Sequence, residues 1–177
     1  MILGIISDTH DVLPAIHNAF NIFAKHKVQT VIHCGDWKTA ETVTYFASEA
    51  VKKNIKVYSV FGNRDVERDT ILKTNASLNH PIFIDESELV KVVIAGKKIM
   101  AYHGHHRPTL IKIITSNEYD VVCTGHTHKP RIEQISNTLI INPGSTAFKI
   151  PRQKNSKPSI ALYNTESNTA EILEFEM

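Results

Sequence analysis

The chain has 177 residues, of which 42% are hydrophobic and 21% charged, and its net charge is +2. This length fits one domain over 1–177 that buries about two-thirds of its surface on folding. The composition favours neither a disordered nor a membrane class, no apolar run approaches the roughly 20 residues a bilayer needs, and the charge is too small to argue for nucleic acid or a membrane surface, so neither is an expected partner.

In chain order, ILGIIS (2–7) is short and apolar, and it runs into charged residues rather than a cleavage site, so it predicts a first strand and not a leader. TVIHCG (30–35) and VYSVFG (57–62) predict two further buried strands. Between them, Leu13, Ile16, Phe20 and Phe23 repeat at helical spacing, as do Ala40, Val43, Phe46, Ala47 and Ala50. Pro14 suits a first helical turn and Thr39 an N-cap. The pattern βαβαβ predicts a largely parallel sheet with helices packed on it.

After residue 80 the pattern changes. LVKVVIAGKKIMAYHG (89–104) predicts a hairpin turning at 95–97, followed by a helix near 108–116 and a strand at 120–125. RIEQISNTLIINPG (131–144) predicts a hairpin turning at Ser136 and Asn137, and residues 159–175 a final pair turning near 166–168. This half is expected to be strand-rich and mostly antiparallel. The stretch 149–158 is a polar, basic, Pro-containing loop. Cys34 and Cys123 sit in apolar runs and read as buried free thiols, which fits a cytoplasmic location.

An apolar strand-like run ends beside a metal-capable side chain five times: at Asp8 with His10, at Asp36, at Asn63, at His103, and at His126 with His128. In α/β sheets ligands bind outside the carboxyl ends of strands, so these ends can meet in one crevice. Imidazoles mixed with carboxylates suit Mn²⁺, Fe²⁺, Ni²⁺ or Zn²⁺ rather than Ca²⁺ or a structural thiolate zinc site. Seven donors exceed the needs of one ion and suggest two ions, about 3.5–4 Å apart, sharing a carboxylate.

The series D-x-H, GD, GN-x-D, H-G-H and GH-x-H, from Asp8 to His128, with NPGS at 142–145, resembles the calcineurin-like metallophosphoesterases. Length, order and HGHH are most similar to the small prokaryotic phosphodiesterase branch of that family. The resemblance implies an α/β (α+β) fold, a four-layer αββα sandwich of two mixed β-sheets flanked by helices, with the dimetal site at the carboxyl ends of the strands. It implies a first metal held by Asp8, His10, Asp36 and His128, and a second held by Asp36, Asn63, His103 and His126, with Asp36 as the bridge. The implied activity is phosphoester hydrolysis, of diesters above monoesters, by a metal-bridging hydroxide attacking in line, with two divalent cations, Mn²⁺ first among them. The implied partner is a small phosphodiester; a homo-oligomer is left open. An alternative on the same fold is a protein-interaction scaffold resembling the retromer subunit with its degenerate metal site.

Residues beside the donors carry two readings each. Many family members have GNH where this chain has Arg64; arginine keeps its proton at working pH, so Arg64 is expected to neutralise phosphate charge and not to act as an acid. His105 either faces the substrate, as a substitute acid, or is structural. Asp65 either orients its neighbours or caps a helix over 66–77. Trp37 either walls the pocket or stacks on a substrate base. Arg107, Lys149 and Arg152 either ring the site or are solvated. His33 is expected in the core, His17 and His26 on a helix surface, His80 in a loop, and His106 in a structural role.

Overall fold

The computed structural model describes residues 1–147 and 157–176. The first half of the chain forms β1 (Ile2–Ile6), α1 (Leu13–Lys25), β2 (Thr30–His33), α2 (Ala40–Lys52), β3 (Lys56–Val60), α3 (Arg68–Ser77) and β4 (Phe83–Asp85). The second half forms β5 (Val90–Ile94), β6 (Lys97–Ala101), α4 (Arg107–Thr115), β7 (Val121–Cys123), β8 (Arg131–Ile135), β9 (Thr138–Asn142), β10 (Ser159–Asn164) and β11 (Thr169–Glu174). The expected loop at 149–158, with Lys149 and Arg152, lies almost wholly outside the described residues.

The strands make two sheets, ordered β11-β10-β1-β2-β3-β4 and β5-β6-β7-β9-β8. β1 to β4 pair in parallel, as the βαβ pattern requires, while β10 joins β1 antiparallel and carries β11 with it. Both sheets are therefore mixed. The expectation of a mostly antiparallel second half needs correction: the β5–β6 and β8–β9 hairpins are antiparallel, but β7 runs parallel to both β6 and β9. The cause is connectivity, because α4 links β6 to β7 as a crossover, and a crossover returns the chain in the same direction.

Three apolar clusters correspond to the three interfaces of a four-layer sandwich. Phe20 and Phe23 of α1 and Phe46 of α2 pack with Ile6 and Val31 on the outer face of the first sheet, joined by Ile71 of α3. Leu3, Ile5, Ile32 and Val60 from the first sheet meet Ile99, Val121 and Ile141 from the second between the sheets. Met100, Val122 and Ile140 lie under Leu110, Ile113 and Ile114 of α4. Burying one such side chain contributes about 1.5–3 kcal/mol, so the two sheets are held face to face by many such increments.

Local signals explain the element ends. Thr39 caps α2, its hydroxyl accepting the Thr42 N–H (3.4 Å), and Pro14 lies in the first turn of α1. α3 begins at Arg68 with Glu67 at its N-cap and no capping side chain, so Asp65 does not cap it. β4, three residues at the sheet edge and only partly buried, lacks the alternation that would have marked it.

Candidate metal centre

β1, β2, β3, β6 and β7 all run with their carboxyl ends toward one edge of the sandwich, and the loop after each carries at least one donor. Five donor residues have left-handed backbones: Asp8 (φ 55°), His10 (41°), Asp36 (62°), His126 (66°) and His128 (57°). Each such residue costs about 1–2 kcal/mol, and strain concentrated in this way is characteristic of functional loops. Neighbouring groups hold the loops in place. The Asp8 N–H donates to the Gly35 carbonyl (3.0 Å) and the His10 N–H to the Asp36 carbonyl (3.2 Å). The NPGS segment acts here too: Asn142 Nδ2 donates to the Gly125 carbonyl (2.7 Å) and Ser145 Oγ to the Asp8 carbonyl (2.9 Å). Gly62 must be glycine, because a Cβ there would stand 2.1 Å from Asp36 Oδ1.

One ligand atom each from Asp8, His10, Asp36 and His128 lies within 4.8 Å of all the others. Within this group His128 Nε2 is 3.0 Å from Asp8 Oδ1, and His10 Nε2 is 3.7 Å from both Asp8 Oδ1 and Asp36 Oδ2. A second group adjoins it, in which Asn63 Oδ1 is 3.2 Å from His103 Nε2 and 2.9 Å from His126 Nδ1, and Asp36 Oδ1 is 3.4 Å from His103 Nε2. Asp36 thus directs Oδ2 to one group and Oδ1 to the other.

The donor atoms are arranged to receive positive charge. Asp8 Oδ1 is buried and has no hydrogen-bond partner among the described residues, while Oδ2 accepts from Ser7 Oγ (2.5 Å) and the His126 N–H (3.1 Å). His103 Nδ1 donates to the Cys34 carbonyl (2.7 Å), which turns the lone pair of Nε2 toward Asn63 and Asp36. Burial opposes charge on each group, yet the neighbouring His10 and His128 hold the Asp8 carboxyl well below its ordinary range. Burial likewise opposes a charged His103, but Asp36 and Asp8 raise its imidazole. Convergent donors with a buried Asp8 oxygen that makes no hydrogen bond among the described residues fit a divalent cation in the first group, and the second group sets Asp36, Asn63, His103 and His126 beside it.

Asp65 orients its surroundings. Its carboxylate accepts the N–H groups of Gly62 (2.7 Å), Asp36 (3.0 Å) and Lys38 (2.8 Å), tying the β2 and β3 loops together; burial nonetheless raises its pKa. The Arg64 N–H donates to Asp36 Oδ1 (2.8 Å), while its side chain is exposed. His105 lies beside the second group, its ring centre 5.8 Å from that of His103 and 6.4 Å from that of His126; burial lowers its pKa against the pull of Glu88. Arg107 begins α4 and is exposed.

Trp37 departs from both of its expected roles: it is fully buried, stacks on His33 (3.4 Å between centroids, 5° between planes) and donates from Nε1 to Ser59 Oγ (3.0 Å). It lies behind the site and cannot reach a substrate. His33 is the core histidine expected, accepting the Gly35 N–H at Nδ1 (3.1 Å) and contacting Thr9 Oγ1 at Nε2 (3.2 Å), with burial lowering its pKa to about 3. His17 is exposed beside buried Glu49 (3.2 Å), His26 ends α1, His80 is exposed after α3, and His106 precedes α4 with Nδ1 near Thr109 Oγ1 (2.8 Å). Asp11, absent from every motif, accepts from Thr39 Oγ1 (2.7 Å) and Thr42 Oγ1 (2.6 Å) and pairs with Lys38 (2.9 Å), anchoring the β1 loop to α2. Glu88 was equally unmarked; only its place in space beside His105 distinguishes it.

Comparison with known proteins agrees with this geometry. Residues 1–168 match the family model of the calcineurin-like phosphoesterase superfamily domain. Phosphodiesterase MJ0936 of Methanocaldococcus jannaschii is 36% identical over 166 residues, 94% of either chain. Phosphodiesterase YfcE of Escherichia coli is 30% identical over 165 residues, 88% of this chain and 83% of that one. Among solved structures, an archaeal phosphodiesterase superposes with a TM-score of 0.84 at 34% identity, covering 99% of this chain and all of its own. Vps29 of Entamoeba histolytica, at 20% identity and a TM-score of 0.65 over 99% of this chain and 100% of its own, shares the fold. With donor groups at five strand ends, the two-sheet sandwich that carries them and a family match over nearly its whole length, the chain belongs to the calcineurin-like phosphoesterase superfamily.

Proposed function

We propose that the chain is a divalent-metal-dependent phosphoester hydrolase, acting on small phosphodiesters in preference to monoesters, from a single domain with two Mn²⁺ ions as its working metals. The observation that carries this reading is Asp36, whose two carboxylate oxygens face two separate donor groups. The relatives named phosphodiesterases support the preference for diesters.

Asp8, His10, Asp36 and His128 would hold one cation, and Asp36, Asn63, His103 and His126 the other. Such a pair supplies Lewis acidity, acidifying water and neutralising the anionic oxygens of a phosphoester. Asp36 carries the only formal negative charge of the second group, since Asn63 offers a neutral carbonyl oxygen and the imidazoles are neutral ligands. Asp65 holds the two loops that carry Asp36 and Asn63, so that this constellation is assembled before substrate arrives. The exposed Arg64 guanidinium can pair with phosphate but keeps its own proton, and His105 is the non-ligand imidazole beside the second group. A pure interaction scaffold has no observation in its favour beyond the shared fold.

Chelated protein should not hydrolyse bis(4-nitrophenyl) phosphate and should recover when Mn²⁺ or Ni²⁺ is added, with 4-nitrophenyl phosphate the poorer substrate. Undiminished hydrolysis by rigorously metal-free protein would overturn the reading.

A further inference from the structure

On the face of the second sheet that α4 covers, α4 and the loop after β7 enclose a cavity of about 380 Å³, within the roughly 300–1,000 Å³ of small-molecule sites. Leu110 and Ile114 of α4, Ile140 of β9 and Pro130 give it apolar walls. Its inner wall is formed by the donor loops themselves: Gly104 follows His103, Gly125 precedes His126, and Thr127 lies between His126 and His128, each about 3.8 Å from a donor residue between Cα atoms. Gly104 has a left-handed backbone (φ 99°), and a Cβ there would stand 2.4 Å from Thr124 Oγ1 and 3.6 Å from Leu110 Cδ2, between two lining residues. Glycine at this position keeps the space open.

We propose that this cavity holds an apolar substituent of the phosphodiester while the phosphate lies at the two donor groups, which makes the substrate an aryl or alkyl diester rather than a nucleotide. The polar side chains of the wall are turned to the protein itself: Thr124 Oγ1 donates to the His103 carbonyl (3.0 Å), and Asn142 Nδ2 donates to the Gly125 carbonyl (2.7 Å) and to Thr127 Oγ1 (3.2 Å). The polar edges of a nucleobase would lose their bonds to water there without replacement, whereas an apolar group has none to lose. At the rim, Arg131 pairs with Glu133 of its own strand, and exposed Lys129, next to His128, matches the single negative charge of a diester. The assignment rests on the proposed phosphoesterase reading and narrows it to a substrate class.

The test has a binding arm and a rate arm, both on the full chain. With diamagnetic Zn²⁺ bound, methyl NMR should show the Ile114 and Ile140 resonances shifting with diphenyl phosphate and not with dimethyl phosphate, which has the same charge and no ring. With Mn²⁺, 4-nitrophenyl phenyl phosphate and 4-nitrophenyl methyl phosphate share a leaving group, and kcat/KM for the phenyl diester should be at least about 10-fold the higher once divided by the ratio of the uncatalysed rates, as for substituents that differ by more than one carbon in an apolar pocket. Half-buried Ile114 is then changed in both directions: Ile114→Trp fills the cavity and should bring that ratio to about 1, and Ile114→Ala enlarges it and should raise the preference for a 1-naphthyl over a phenyl substituent. Ratios unchanged in both variants, or methyl groups that ignore diphenyl phosphate, overturn the proposal. If the wild type shows no metal-dependent hydrolysis, the phosphoesterase reading fails by itself while the NMR titration still decides whether the cavity takes an apolar ring.

Discussion

Replacing Asp36 by Asn should remove the thermal stabilisation that metal confers while leaving the metal-free fold nearly intact. At metal about 100 times its dissociation constant, one occupied site stabilises the folded state by about 2.7 kcal/mol. For a chain of 177 residues, at about 2–4 °C per kcal/mol, this raises the melting temperature by about 5–11 °C, and by twice that if both sites fill. The variant loses the shared negative charge, and losing a direct ligand should weaken each site at least about 100-fold, the upper end of what an outer partner costs. The same metal concentration then only equals the dissociation constant, and stabilisation falls to about 0.4 kcal/mol, or about 1 °C per site. Without metal, the amide oxygen of the new Asn can still accept the Arg64 N–H that Asp36 Oδ1 now accepts at 2.8 Å, so the loss should be about 1 kcal/mol. Differential scanning fluorimetry across a Mn²⁺ titration measures both quantities. Asn63→Ala, which touches one donor group, should keep the share of the shift that belongs to the other. A full wild-type shift in Asp36→Asn, or one abolished by Asn63→Ala alone, would refute Asp36 as the bridge.

Gly62→Ala should abolish hydrolysis in a protein that still folds, because its Cβ would lie 2.1 Å from Asp36 Oδ1 and displace that carboxylate; full activity on a diester would contradict the packing. Asp65→Ala leaves three backbone N–H groups without their acceptor, so chemical denaturation should show at least about 3 kcal/mol of lost stability at about 1–3 kcal/mol per buried group. For Glu49, burial raises the carboxyl but Lys52, His17 and Lys53 lower it further, giving a folded pKa below its unfolded value of 4.5. Its contribution is therefore full above about pH 4.5 and is lost as pH falls through the folded value, so the stability gap between wild type and Glu49→Gln should close in acid; a gap constant down to pH 2 would count against it. With Arg64 unable to donate a proton, the rate should fall steeply from nitrophenyl to alkyl leaving groups; a flat series that steepens in His105→Ala would instead make His105 the acid.

Much of this protein is determined locally. The apolar runs of β1, β2 and β3, the 3.6-residue spacing in α1 and α2, the Thr39 cap and the hairpin turns depend on residues adjacent in sequence, and so does the recurrence of a metal-capable residue after each strand. That recurrence suffices to mark Asp8, His10, Asp36, Asn63, His103, His126 and His128 as candidate donors, because ligand chemistry is a property of residue type. What only the tertiary structure decides are relations between distant segments. The parallel run of β7 depends on where α4 crosses, and the short edge strand β4 exists because β3 is there to pair with it. Trp37 sits beside a donor in sequence, but the close packing of Phe46 and His33 turns it into the core. Asp65 turns back to backbone groups of two loops. A local pattern determines a side chain's chemistry and its place on a strand or helix; which group meets which is set by the simultaneous packing of both sheets, and that information lies in no single stretch of the chain.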